Sequence, residues 1–166
     1  MSTILAFVAA GLQPSAAQSP EAMPPVDVKT DNESVNVVID WEPVEIETGQ
    51  NVEFALDFQD PSSGQSIAHV NYNFEVQDQS GATVESLTNL HTHSGSDAQT
   101  VAFDTTGSFK LVVTIIGTGI NPPFDTTQSG TVETAVMVVP EFPVVPAILA
   151  AATGLGIALA RKLRRN

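Results

Sequence analysis

At 166 residues the chain has room for one domain plus end segments. Nineteen acidic residues against six basic ones give a net charge of −13, and the absence of cysteine excludes disulfides, thiolate metal sites, iron–sulfur clusters and a thiol nucleophile. Because Arg161, Lys162, Arg164 and Arg165 all sit at the C-terminus, the stretch from Glu21 to Glu141 is a strongly anionic body, which repels nucleic acid and gathers cations.

The chain opens on an apolar run, Thr3 to Leu12, followed by Pro14 and the small residues Ser15, Ala16 and Ala17. A short apolar core, a helix breaker and small residues at the cut describe a secretory signal peptide, here without a basic n-region, and place cleavage after Ala17. Residues 18–34 read as a linker, since Pro20 to Pro25 is proline-rich and lacks periodicity. Strand patterns then follow one another across 35–139. Val35, Val37 and Ile39 alternate before Trp41, and Val44 and Ile46 alternate with Glu45 and Glu47. Val52, Phe54, Leu56 and Phe58 alternate with polar or small residues, the pattern of a half-buried strand. After the turn chemistry of Asp60-Pro61-Ser62-Ser63-Gly64, Val70, Tyr72, Phe74 and Val76 define one face and His69, Asn71, Asn73 and Glu75 the other. Shorter strands are expected around Thr83–Leu87, Leu90–Thr92 and Val101–Phe103. A long one over Phe109, Leu111, Val113 and Ile115 and a last one from Val132 to Val139 complete the body. Seven or eight short strands at regular spacing, with no helix pattern between them, predict an all-β sandwich.

Beyond Pro140-Glu141-Phe142, the segment Val144 to Ala160 carries no charge. As a helix it spans roughly 26 Å, enough for a thin hydrocarbon core. The basic cluster that follows stays in the cytoplasm by the positive-inside rule, so the acidic body lies outside. Pro140-Glu141-Phe142, an apolar helix and a basic tip together resemble the PEF-type C-terminal sorting signals of archaeal surface proteins. That resemblance covers about the last sixth of the chain. It implies an archaeal source and processing near the motif by an archaeosortase-type membrane transpeptidase. Phe103 to Ile115, FDTTGSFKLVVTI, resembles the turn before the sixth strand of immunoglobulin-like domains, with Phe109 where a tyrosine is usual. It implies an Ig-like or fibronectin-III-like sandwich, a fold and not a function. The layout of HVNYNFEV, HTHSG, GSFKLVV and the PEF signal also resembles small uncharacterised surface proteins of ammonia-oxidising archaea.

Three histidines stand out among the polar residues. His91 and His93 form His-x-His, which a strand presents on one side. His69 lies off the apolar face of its own strand. Imidazoles in this pattern suit copper(II) or zinc(II), and the missing cysteine rules out a blue-copper electron-transfer site. The alternative is a solvated strand face. Asp57, Asp60 and Ser62 to Gly64 lack the spacing of a calcium loop and read as a turn. Asn32-Glu33-Ser34 is a glycosylation sequon. Trp41 and Tyr72 are expected in the core, and no motif of a hydrolase, zinc protease or phosphate loop occurs.

Two functions follow. The first is a non-enzymatic surface module, exported and anchored with its C-terminus in the cytoplasm. Its partners would be the membrane, the processing enzyme and other envelope or surface-layer proteins, with no nucleic acid. The second is an extracytoplasmic copper or zinc binder using His69, His91 and His93.

Overall fold

The computed structural model describes residues 22–141. They form nine strands: β1 (Val26–Lys29), β2 (Asn36–Glu42), β3 (Ile46–Glu47), β4 (Asn51–Gln59), β5 (Val70–Gln77), β6 (Thr83–Thr92), β7 (Ser96–Ala102), β8 (Gly107–Thr118) and β9 (Gly130–Val139). One sheet has the order β1-β2-β4-β7, the other β3-β9-β8-β5-β6. All pairings are antiparallel except β3 with β9. Among the described residues no helix is long and apolar enough to cross a membrane. The expected signal peptide and the apolar segment Val144–Ala160 lie outside them.

The period-2 pattern decides what faces inward. Along β4, Val52, Phe54, Leu56 and Phe58 are fully buried while Asn51, Glu53 and Ala55 are exposed. Along β8, Phe109, Leu111, Val113 and Ile115 are buried in the same alternation. Rings from the two sheets meet in the middle: Phe54 lies 5.8 Å from Phe74, and Phe58 lies 4.9 Å from Tyr72. The all-β sandwich expected from the pattern is therefore the observed architecture. Trp41 and Tyr72 are core residues, as expected. Phe109, which lacks the hydroxyl of a tyrosine corner, packs 4.9 Å from Phe103.

Several details differ from the sequence reading. Thr83–Leu87 and Leu90–Thr92, expected as separate strands, form the single strand β6, and β7 begins at Ser96, before the expected Val101. β1 falls inside the stretch 18–34 expected as linker. Its four residues pair with Asn36–Ile39 of β2, and half-buried Val26 and Val28 pack against the core. Near β3 only Ile46 and Glu47 pair, and Val44 is exposed.

The long strand β8 sets the distance between the two ends of its sheet. Gly107 pairs with Val138, beside the exit to Pro140, and Thr118 pairs with Val70, beside His69. At about 3.3 Å per residue these two ends are roughly 35 Å apart.

Candidate metal centre

The three histidines come together at the end of β5 and β6 remote from Pro140. Register explains the meeting. Val70 pairs with Thr92 and Asn71 with His91, so the next residues outward, His69 and His93, are opposite each other. The His69 N–H donates to the His93 carbonyl at 3.4 Å. His91 on β6 and His93, the first residue past its end, are two apart and then share a side.

His69 itself leaves the extended conformation, with φ of 56°. A non-glycine residue in this region is uncommon and costs of order 1 kcal/mol or more, so the surroundings must hold it there. They do so through its carbonyl, which accepts the Gly119 N–H at 2.8 Å and Asn71 Nδ2 at 3.3 Å.

One nitrogen from each of the three rings lies within 4.8 Å of the others. The Nδ1 atoms of His69 and His93 are 3.3 Å apart. Two nitrogens bound tetrahedrally at zinc distances are separated by roughly 3.3 Å, so this pair already has the spacing of ligands. Closing the widest pair to the same value takes a shift of roughly 1.5 Å. His93 is exposed and His69 and His91 are half-buried, which leaves a side of the cluster open to solvent. His69 and His91 stack with centroids 5.6 Å apart, and His93 stands edge-on to both. The donor set and the spacing fit a copper(II) or zinc(II) ion.

Partial burial of the ring, and then the neighbouring imidazoles of His93 and His69, push the His91 pKa below the ordinary imidazole value. The folded chain thus binds fewer protons than the unfolded chain between the lowered value and about 6.5. Stability contributed by neutral His91 is present above the unfolded value and declines as pH falls through that window. Urea midpoints of the metal-free chain are expected to drop between pH 7.5 and 5, and the drop should shrink in His91→Gln.

The loop after His93 is held tightly. Gly95 has φ of 84°, its carbonyl accepts the Phe58 N–H at 2.8 Å, and a Cβ there would press on the Ile67 carbonyl oxygen. Gly95→Ala is expected to destabilise the fold by about 1–2 kcal/mol or more in urea titrations, from the left-handed backbone alone. It should also weaken metal binding, because the loop leaves directly from His93.

The other sequence-predicted residues lie elsewhere. Asn32 is exposed in the turn between β1 and β2, where its Oδ1 accepts from Thr30 Oγ1 at 2.9 Å and from the Ser34 N–H at 3.0 Å. Asp60 is a turn acceptor: one carboxylate oxygen takes the hydroxyls and N–H groups of Ser62 and Ser63. These bonds, the Ser62 hydroxyl foremost, lower its pKa to about 2. Asp57 bonds Ser96 Oγ instead of joining Asp60. Pro140 and Glu141 are exposed past β9, while Phe142, Arg161, Lys162, Arg164 and Arg165 fall outside the described residues. Tyr72 points inward, away from the centre, donating to Asp97 Oδ2 at 2.7 Å, and burial raises its pKa. Sequence reasoning placed Asn71 on the face of His69 but gave it no role. In the fold it is 7% exposed and bonded to His91.

No protein-family model matches the chain, and no curated protein matches it. Among solved structures it is similar to the PmoD soluble domain from Methylocystis sp., with 14% sequence identity and a TM-score of 0.44, over 61% of this chain and 91% of that chain.

Proposed function

We propose that the protein is an exported, membrane-tethered, non-enzymatic surface module that binds one copper(II) or zinc(II) ion through His69, His91 and His93. The observation that carries this reading is the convergence of one nitrogen from each ring to within 4.8 Å. Three of three histidines in the chain take part, which a solvated strand face does not require. The anionic body supports it too, because a net charge of −13 raises the local concentration of cations.

The strand order suits an Ig-like or fibronectin-III-like sandwich used as a spacer. The address segments, 1–17 and 140–166, belong to the same proposal. With the PEF-type tail in or processed at the membrane, the centre sits at the other end of β8, roughly 35 Å of strand away. The histidines would then face outward, toward the medium and neighbouring envelope proteins.

Calorimetric titration of the chain with Zn²⁺ and Cu²⁺ tests the reading. One ion per chain is expected, with copper(II) tighter than zinc(II), the order nitrogen donors follow. Weak binding of many ions without saturation would sink it.

A further inference from the structure

An imidazole has two nitrogens, and the partner of one decides what the other can do. For His91 that partner is Asn71. Nδ1 of His91 lies 2.9 Å from Asn71 Oδ1. The amide orientation follows from its hydrogen-bond network. Asn71 Nδ2 faces three backbone carbonyl oxygens: Gly119 at 2.8 Å, His69 at 3.3 Å and Gly117 at 3.4 Å. Carbonyl oxygens only accept, so the group among them must be the NH₂. The amide oxygen is thereby turned to His91, and the ring must meet it with an N–H. A neutral imidazole protonated at Nδ1 carries its free lone pair on Nε2.

We propose that Asn71 is the positioning residue of the centre: it holds His91 as the Nδ1–H tautomer, so that His91 ligates through Nε2 while His69 and His93 ligate through Nδ1. The assignment for His69 and His93 comes from their facing Nδ1 atoms, 3.3 Å apart. Asn71 serves two of the three ligands at once, because the same NH₂ that fixes its orientation also bonds the His69 carbonyl. Its burial keeps water from competing for these bonds. Ligation through His91 Nδ1 would instead displace Asn71 and leave its buried oxygen without a donor. The proposal rests on the three-histidine reading above.

The test is ¹⁵N NMR of the histidine rings in the full-length chain, in detergent micelles, before and after adding Zn²⁺. In the metal-free wild type, His91 is expected to show a protonated Nδ1 and an unprotonated Nε2. Zn²⁺ should shift His91 Nε2 while Nδ1 stays protonated, and should shift Nδ1 of His69 and His93. Asn71→Ala should release His91 from the Nδ1–H tautomer and weaken zinc binding by roughly 10–100-fold, as removal of a ligand's hydrogen-bond partner does elsewhere. Asn71→Asp keeps an acceptor toward Nδ1–H, so it should retain the tautomer even where lost bonds to the carbonyls weaken the fold. An Nε2–H tautomer in the wild type overturns the proposal, and that measurement needs no variant to fold. Unchanged zinc affinity in Asn71→Ala overturns it as well, leaving the three-histidine centre standing. Absence of saturable zinc binding in the wild type overturns both.

Discussion

Replacing His91 and His93 together by alanine is expected to abolish the rise in melting temperature that metal produces in the wild type. An ion that binds only the folded state stabilises it by about 2.7 kcal/mol at a concentration of 100 times its Kd. For a domain of this size that corresponds to roughly 10 °C. The variant keeps one imidazole of three, and one imidazole holds an ion too weakly to give a measurable shift at the same concentration. The metal-free variant should be less stable by about 1–3 kcal/mol, because removing the His91 ring leaves the buried Asn71 oxygen without its donor, while the exposed His93 adds little. Differential scanning calorimetry with and without Zn²⁺ measures both quantities. If the variant kept the full shift, the cations would be held by the anionic surface. A repeat in high salt separates the cases: screening removes diffuse attraction to exposed carboxylates and leaves chelation by neutral imidazoles largely intact.

Much of this fold is legible in the sequence because the sandwich buries one face of each central strand. β4 and β8 are read directly, since Val52 to Phe58 and Phe109 to Ile115 alternate without interruption. Edge strands are harder. β7 has only Val101 fully turned to the core, so its N-terminal half carries no apolar signal. β6 is a single strand whose residues are mostly exposed or half-buried, with Asn89 at a φ of 58°. Its pattern therefore reads as two pieces. β1 is short and lies in proline-rich surroundings that mask two inward valines. The candidate site divides the same way. His-x-His places His91 and His93 on one side by strand geometry alone. That His69 joins them depends on the β5–β6 register, which the sequence does not display. Asn71 left only its position, two residues from His69. What gives it a role is the set of carbonyls around its amide, two of which, Gly117 and Gly119, belong to a segment nearly fifty residues away.

Phe54→Ala is expected to cost about 3–5 kcal/mol, the range for emptying a buried aromatic position. Phe54 is fully buried and sits where the sheets meet, 6.3 Å from Trp41, 5.8 Å from Phe74 and 6.3 Å from Phe103. Its ring thus ties β2 and β4 to β5 and to the end of β7. Domains are stable by only about 5–15 kcal/mol, and no disulfide is present to limit the damage. With a urea slope of about 2 kcal/mol per M, the midpoint should fall by roughly 2 M. Phe54→Leu, which keeps most of the volume, should lose less than half as much. A loss under about 1 kcal/mol for the alanine variant would show that the sheets close over the gap and that this ring is not what holds them. Metal gives an independent control. Phe54 lies in the interior between the sheets and the histidines on the outside of one, so the two effects should add within about 0.5 kcal/mol. Saturating Zn²⁺ should then raise the Phe54→Ala midpoint by the same free energy as in the wild type. A smaller gain would mean that the β5–β6 end has loosened together with the core, and that the register bringing His69 to His93 depends on the packing of the two sheets.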